Sequence, residues 1–175
     1  SYVDCYRCSA RVLKPRGDLM MIMGHYWLDP FDHMGPKAAN MVYRWTLAML
    51  QGEGAYPRLP NRHRNMAVTY KPIGWWYKRG ENGNNYAGVV DSYQNPPPVK
   101  GHEWEQSQAW AHFCMDHLYF ASGVIVDPMV GSGTLAVEAV RRGYRAIVGD
   151  VDPRAIDMTW DKVRASFATV HVLGA

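Results

Sequence analysis

The segment from Val124 to Asp152 constrains the fold more than any other part of the chain. It starts with an apolar, β-branched run, Val124–Val126, which is typical of a buried strand in a parallel sheet. Gly131 and Gly133 follow and allow a sharp bend in which the backbone approaches a ligand closely. We expect Thr134 to cap the next helix, Leu135–Arg142, which a glycine at 143 ends.

A second strand is predicted at Ala146–Gly149, with Asp150 at its carboxyl end. A strand, glycine loop, helix and strand in this order form half of a nucleotide-binding α/β sheet, whose ligand lies outside the carboxyl ends of the strands. No Gly-Lys-Ser/Thr sequence follows the glycines, which excludes a Walker A phosphate loop. Asp150 is then placed to accept hydrogen bonds from both hydroxyls of a ribose.

Charge distinguishes between the nucleotides that such a loop binds. The spacing from Gly131 to Ala136, with an acid about twenty residues on, also fits the dinucleotide fingerprint, so an NAD-dependent oxidoreductase is one alternative. Asp127, however, directly precedes the loop and would repel a pyrophosphate. A carboxylate there suits S-adenosylmethionine, which carries an ammonium and a sulfonium group and no phosphate.

The loop resembles a known motif. Its sequence is Asp127-Pro128-Met129-Val130-Gly131-Ser132-Gly133-Thr134. It is similar to the Asp-Pro-Phe-x-Gly-Ser-Gly-Thr motif of the DNA amino-methyltransferases, which make N6-methyladenine or N4-methylcytosine. Met129 replaces the usual Phe with another apolar, polarizable side chain. The resemblance implies S-adenosyl-L-methionine as cofactor and double-stranded DNA as partner. It implies that Asp150 and all the motif residues except Val130 bind the cofactor.

Weaker similarities to the same family extend along the chain. The predicted helix Tyr2–Leu13, a Leu-Lys-Pro-x-Gly turn and the predicted strand Asp18–Met23 resemble the segment after the family's catalytic motif. His102 and Gln106 match its His-Pro-x-Gln-Lys-Pro element by spacing, which implies contacts with the methionine end of the cofactor.

The resemblance implies one Rossmann-like, three-layer α/β domain over residues 1–175, with a predominantly parallel sheet and the motifs in circularly permuted order. Its parts would be a catalytic half (2–78), a short loop or target-recognition region (79–100) and a cofactor-binding half (101–175). The periodicity predicts further helices at Pro36–Leu50, from Gly101 to about Phe120, and at Arg154–Ala168. It predicts two strands, Asn65–Tyr70 and Ile73–Tyr77, separated by Lys71-Pro72.

The family's catalytic tetrapeptide, Asp, Asn or Ser followed by Pro-Pro and an aromatic residue, has no clear counterpart. Asn95-Pro96-Pro97-Pro98 lacks the aromatic residue and lies in the wrong part of the order, so we interpret it as an extended linker. The catalytic motif is therefore expected upstream of Ser1. A non-catalytic or degenerate S-adenosylmethionine-binding subunit is the alternative function.

Basic residues provide candidate DNA contacts. A loop carries Arg58, Arg62 and Arg64, and Arg79 follows the next predicted strand. On a DNA enzyme we expect them at phosphates and base edges; a solvated connection explains the loop equally well. Because the region 79–100 is short for target recognition, either the DNA target is read elsewhere in the chain, or a homodimer partner, a second subunit or a missing segment supplies the recognition.

Composition bounds the cellular setting. The chain has 47% hydrophobic and 20% charged residues, no bilayer-spanning apolar run and no signal peptide, as in a soluble protein. Its three cysteines are an odd number, which favours free buried thiols in a reducing compartment. The family resemblance implies that this compartment is the cytoplasm of a bacterium or a phage-infected host. A zinc site formed by Cys5-x-x-Cys8 and Cys114-x-x-His117 is a weaker alternative, because both pairs lie in predicted helices. We therefore expect no bound metal.

Overall fold

The structure is a computed structural model, and it describes residues 2–23, 39–51, 70–80, 90–96, 106–118 and 123–172. The chain forms two compact units, Ser1–Asn95 and Pro96–Ala175. Both contain helices and strands, which confirms the predicted α/β class. No helix in the described part of the chain is long and apolar enough to cross a membrane.

The described part of the first unit contains one helix and a four-stranded sheet. The elements are α1 (Tyr2–Val12), β1 (Asp18–Ile22), β2 (Met41–Gln51), β3 (Tyr70–Lys78) and β4 (Ser92–Asn95). The strand order is β1-β3-β2-β4, with β3 antiparallel to both β1 and β2, and β4 parallel to β2. The predicted predominantly parallel sheet is therefore wrong for this unit. Consecutive strands such as β2 and β3 pair directly when antiparallel, whereas a parallel pair needs a long crossover.

The predicted helix at Pro36–Leu50 is wrong, because β2 occupies Met41–Gln51. Apolar residues at helical spacing suggested the helix, but the segment is also rich in β-branched and aromatic side chains, which favour strands. Leu47 and Met49 are fully buried at the two-residue period of a strand. Pairing with β3, which lies far along the chain, overrides the local pattern.

The break that was predicted at Lys71-Pro72 is wrong, since β3 is continuous from Tyr70 to Lys78. Proline has no amide hydrogen, but the Pro72 carbonyl still accepts a hydrogen bond from the Met23 amide at 3.0 Å. Residues 65–69 lie outside the described residues. The predictions for α1 and β1 are confirmed to within a residue at their ends.

Trp76 is the centre of the first unit's core and is 1% exposed. Its ring contacts that of Tyr6 from α1 edge to face, with centroids 5.1 Å apart. The ring lies over Gly74, where an added Cβ would be 1.9 Å from a ring carbon, so only glycine fits there. The packing of α1 on the sheet is further fixed by the Lys78 ammonium, which donates to the carbonyls of Ala10 (2.6 Å) and Leu13 (2.8 Å) near the helix end.

The second unit contains the strand–loop–helix–strand arrangement that the sequence predicted. Its elements are α2 (Gln108–His117), β5 (Val124–Asp127), α3 (Thr134–Arg141), β6 (Arg145–Val148) and α4 (Pro153–Val172). Strands β5 and β6 are parallel, with Asp127 opposite Val148, and α3 contacts both of them. The final helix extends beyond its predicted end, and the predicted helix near residues 101–120 is described only from 108 to 117.

One face of the β5–β6 pair is open, contrary to the buried strand that was predicted. Val124, Val126 and Ile147 are 36%, 49% and 60% exposed. A parallel strand is buried when helices cover both faces of its sheet, and the alternating exposure along β5 and β6 indicates cover on one face. The apolar run therefore predicted the strand correctly and its burial incorrectly.

Candidate cofactor site

The loop between β5 and α3 has the backbone conformation that its glycines suggested. Gly131 and Gly133 have φ values of 53° and 83°, in the left-handed region that glycine adopts without steric cost. Gly133 is the N-cap of α3 and provides no side-chain cap. The prediction that Thr134 caps this helix is therefore wrong. Thr134 is the first helical residue, and its hydroxyl donates instead to the Gln106 carbonyl at 3.3 Å.

The two glycines serve different purposes. A Cβ at Gly133 would lie 2.9 Å from the Cα of Thr159 and 2.7 Å from its hydroxyl, so α4 packs directly on the loop there. A Cβ at Gly131 would meet nothing within 4 Å. Gly133 thus permits the helix to approach the loop, whereas Gly131 leaves open space beside the backbone. Of the two, Gly131 is the position that a ligand can approach.

Asp127 is the last residue of β5 and begins the loop. Its Oδ1 atom accepts a hydrogen bond from the Met129 amide at 3.1 Å. Burial raises the pKa of this carboxyl above its ordinary value; the Met129 hydrogen bond opposes that rise, and the nearby charge of Asp150 adds to it. A cationic ligand would relieve both the desolvation and the repulsion.

Asp150 follows β6 and ties the loop to the next turn. One carboxylate oxygen accepts from the Gly131 amide at 2.9 Å and the other from the Asp152 amide at 3.0 Å. Hydrogen bonds from the backbone amides of Asp152 and Gly131 lower the pKa of Asp150 below its usual value. A carboxylate has about four lone-pair sites, so these bonds leave acceptor capacity for a ribose hydroxyl. The sequence did not predict this second task.

The remaining motif residues differ in exposure. Met129 is 72% exposed and presents its thioether beside the loop. Ser132 and Thr134 are buried, with their hydroxyl oxygens 3.4 Å apart, so both contribute to the loop's own structure. Pro128 is exposed. The structure therefore brings the seven predicted cofactor residues of the motif together around one loop, and Asp150 is bonded to the same loop.

Gln106 lies beside this loop through its backbone, since its carbonyl accepts the Thr134 hydroxyl. His102 lies outside the described residues, as do Arg58, Arg62 and Arg64. Arg79 is described: it is exposed just after β3 in the first unit, and its amide donates to the Asn40 carbonyl at 3.3 Å.

Asn95 differs from the linker that we inferred from the sequence. It is the last residue of β4, is 7% exposed, and its Oδ1 atom accepts a hydrogen bond from the Tyr93 hydroxyl at 3.3 Å. The linker interpretation is therefore wrong for Asn95. Its local sequence gave little strand signal, because pairing with β2 creates the strand. Pro97 and Pro98 lie outside the described residues.

The cysteines were expected to be buried, but only one of the three is. Cys114 is buried, and burial raises the pKa of its thiol to about 12, which keeps it protonated and unreactive. Cys5 and Cys8 are exposed on α1, so the prediction is wrong for them. Within the described residues, no group of three or more potential metal ligands comes together.

Sequence reasoning missed an acid in the middle of α3. Glu138 is 4% exposed and its carboxylate receives contacts from side chains of α2 and from Arg142. The Glu–Arg spacing of four residues was visible in the sequence and is a common helix pair. What the sequence could not provide is the burial of that pair against a second helix.

Comparison with known proteins places the fold. No protein-family model and no curated protein matches the sequence. Among solved structures, M1.HpyAVI in complex with SAM aligns with a TM-score of 0.73 at 14% identity, over 93% of this chain and 82% of that chain. TTHA0409 of Thermus thermophilus, assigned as a DNA modification methylase and complexed with S-adenosyl-L-methionine, aligns with a TM-score of 0.69 at 15% identity, over 94% and 75%.

The cytosine-N4-specific PvuII DNA methyltransferase aligns with a TM-score of 0.68 at 14% identity, covering 92% of this chain and 70% of that chain. At such identities the similarity is one of fold. The chain is thus structurally similar to DNA modification methyltransferases, as the loop motif suggested.

Proposed function

We propose that this chain binds S-adenosyl-L-methionine and is part of a DNA methyltransferase that modifies the exocyclic amine of adenine (N6) or cytosine (N4). The observation that carries the proposal is Asp127. Its carboxylate is partly buried at the end of a parallel strand, has a raised pKa, and begins the loop in which Gly131 leaves open space beside the backbone. A partly buried acid of this kind is stabilised by a cation, and the proposed cofactor provides two positive charges.

The other site residues fit the same ligand. Asp150 retains acceptor capacity for a ribose hydroxyl, and the exposed Met129 side chain offers an apolar, polarizable surface to a base. Gly131 allows close approach of the backbone. When bound, S-adenosylmethionine supplies an electrophilic methyl group. The chain's task is to hold that group in position for an amine, which is how much of the rate enhancement arises when two reactants are aligned.

A dinucleotide fits the same loop less well. Asp127 ends β5 and Asp150 lies just after the adjacent strand β6, and the charge of Asp150 already raises the pKa of Asp127. A pyrophosphate would add two negative charges beside them. The amide of Gly131, a donor that a phosphate would need, is already bonded to Asp150 at 2.9 Å. NAD is therefore the control ligand in the binding experiments.

DNA binding and base access follow from the proposed reaction. A base amine in a duplex is inaccessible, so the target base must be flipped out of the helix. We assign the basic residues of the chain, Arg79 with Arg58, Arg62 and Arg64, to contacts with DNA. The division into a catalytic half (2–78), a recognition region (79–100) and a cofactor half (101–175), in permuted order within a three-layer domain, belongs to the same proposal.

A second candidate is a non-catalytic S-adenosylmethionine-binding subunit that pairs with an active enzyme. The observation that favours it is the lack of the catalytic tetrapeptide in this sequence, since Asn95-Pro96-Pro97-Pro98 has proline where the motif has the aromatic residue that stacks on a flipped base. Under this candidate the cofactor site binds its ligand and the purified chain transfers no methyl group to DNA.

Methyl transfer to DNA distinguishes the two candidates. The chain is incubated with unmethylated double-stranded DNA and methyl-labelled S-adenosylmethionine, and the DNA is digested to nucleosides and analysed by mass. N6-methyladenine or N4-methylcytosine supports the enzyme and identifies its target base. Cofactor binding without any labelled nucleoside supports the subunit. Absence of cofactor binding contradicts both.

A further inference from the structure

Three polar residues line one side of α3 and its end: Thr134, Glu138 and Arg142. They are spaced by four residues, which places them above one another on the same helix face. All three contact α2 or the residues that precede it. We call these contacts the α2–α3 seam.

The seam contacts run in the same order along both segments. The Thr134 hydroxyl donates to the Gln106 carbonyl at 3.3 Å. One turn further on, the Glu138 carboxylate accepts from the side-chain amide of Gln108 (Nε2) at 3.2 Å and lies 2.8 Å from Nδ1 of His112.

At the far end of the seam, the Arg142 guanidinium pairs with Asp116 at 2.7 Å. It also donates to the His112 carbonyl at 3.3 Å and to Glu138 at 2.6 Å. The two helices therefore lie in one parallel register that starts at the cofactor loop.

Glu138 connects these contacts, and its side chain is only 5% exposed. Burial alone would raise the pKa of Glu138, but the hydrogen bond from Arg142, the charge of His112 and the Gln108 amide together lower it, so the carboxylate is ionised. A buried carboxylate with several donors has few alternative arrangements, because a shifted register would leave a buried charge unpaired. An apolar contact between the same helices would tolerate sliding.

We propose that Glu138 is a positioning residue for the cofactor site. By fixing the register of α2 on α3, it holds Gln106 against the first residue of α3, where the glycine loop ends. This inference rests on the proposed function, since its effect on a ligand presumes that S-adenosylmethionine binds at the loop. Glu138 lies one helical turn beyond Thr134 and acts on the ligand through Gln106 and the loop.

The test uses the full chain with Glu138→Gln, which retains the side chain's shape and removes its charge. Asp161→Asn is the matched control, since it removes one carboxylate from the exposed side of α4. Calorimetry should give an S-adenosylmethionine dissociation constant at least about threefold higher for Glu138→Gln, and within about 1.5-fold of wild type for Asp161→Asn. A merely stabilising residue would lower the unfolding midpoint and leave the affinity of the folded protein unchanged, which would overturn the proposal.

Amide hydrogen exchange provides a readout that needs no ligand. In Glu138→Gln the amides of residues 106–108 and 131–134 should exchange faster than in wild type, while those of β6 are unchanged. Unchanged exchange at the loop in Glu138→Gln would contradict the positioning role of Glu138, whether or not the wild type binds S-adenosylmethionine. A wild type that binds no S-adenosylmethionine would instead refute the proposed function.

If Glu138→Gln does not fold, the variant Arg142→Gln tests the same positioning role. It weakens the far end of the seam, about 12 Å along the helix from Thr134. It should change loop exchange and cofactor affinity in the same direction by a smaller factor. Wild-type values for both quantities in a folded Arg142→Gln variant would overturn the proposal.

Discussion

Two carboxylates at strand ends, one in each unit, have opposite surroundings. Asp18 begins β1, and its fully buried side chain accepts from the Trp75 indole at 2.9 Å and pairs with the Arg44 guanidinium at 3.3 Å. Asp127 ends β5, accepts from the Met129 amide, and is repelled by Asp150. In the described part of the chain no ion pair reaches Asp127. Asp18 is thus paired with a cationic side chain of the same unit, whereas we expect the cation beside Asp127 to be part of a ligand.

The surroundings of Arg44 explain how the first unit satisfies its buried charge. A bulge in β2 between Tyr43 and Trp45 places Arg44 outside the regular register. Its guanidinium lies 5.0 Å from the Trp75 ring centroid and 4.5 Å from that of Tyr77. Such cation–π contacts add to the ion pair. Asp18 is therefore structural, and its replacement should affect stability and leave ligand binding to the folded protein unchanged.

The largest expected effect is that of Asp18→Asn. It removes the negative charge that Asp18 places beside the Arg44 guanidinium, whose side chain is 15% exposed. Breaking a buried pair from one side costs about 3 kcal/mol of unfolding free energy. Urea unfolding followed by tryptophan fluorescence measures this loss. A loss below about 1 kcal/mol would mean that water already solvates the pair, and the contrast with Asp127 would weaken.

The glycine loop should respond unequally to two identical substitutions. Gly133→Ala combines a left-handed φ with a clash against Thr159, so we expect a loss of about 2–3 kcal/mol. Gly131→Ala has the same type of φ and no neighbour within 4 Å, so we expect about 1 kcal/mol.

Gly131→Ala, the variant with the smaller expected loss of stability, should show the clearer loss of cofactor affinity. Gly131→Ala should weaken S-adenosylmethionine binding in a protein that remains folded, because its new methyl group occupies the open space. Equal losses of stability for the two variants, or full affinity in Gly131→Ala, would contradict the different purposes assigned to them.

Asp127→Asn should change the free energy of unfolding by a smaller amount, and it should stabilise the unliganded protein where the preceding substitutions destabilise it. The folded pKa of Asp127 is raised, so its ionisation opposes folding once the pH exceeds the ordinary carboxyl range. The unliganded wild type should lose stability relative to Asp127→Asn as the pH rises through that raised pKa. Urea titrations of both proteins at several pH values between about 4 and 7 measure the difference. A variant that is less stable than wild type at neutral pH would show that the carboxylate is satisfied within the fold.

Binding should show the complementary dependence on pH. A proton competes with a cationic ligand for Asp127, so S-adenosylmethionine affinity should rise with pH through the raised pKa and then level off. The Asp127→Asn variant should bind weakly at every pH. A wild-type affinity that falls with rising pH across this range would contradict a cation at Asp127.

The cofactor loop was predictable from sequence because its determinants are local. Two glycines with positive φ, a β-branched strand and an acid at each strand end lie within about thirty residues, and each has a direct conformational meaning. The β2 strand was not predictable for the opposite reason. Its residues satisfy a helical period equally well, and the choice depends on β3, whose residues lie well along the chain.

Two contacts at the loop were also not predicted from the sequence, for the same physical reason. Thr134 donates to the Gln106 carbonyl instead of capping α3, and Asp150 accepts the Gly131 amide in addition to any ribose. Both roles depend on partners that come close only after folding. Sequence patterns identified the residues that form the loop, while the contacts decided what each of them does in the fold.

Calorimetric titration of the wild type and Asp127→Ala with S-adenosylmethionine, and of the wild type with NAD, tests the central claim most directly. We predict S-adenosylmethionine binding by the wild type, no tight NAD binding, and at least a tenfold weaker affinity in Asp127→Ala, or about 1.4 kcal/mol. Circular dichroism must show that the variant is folded. Tight NAD binding without S-adenosylmethionine binding, or equal S-adenosylmethionine affinity in the two proteins, would contradict the account.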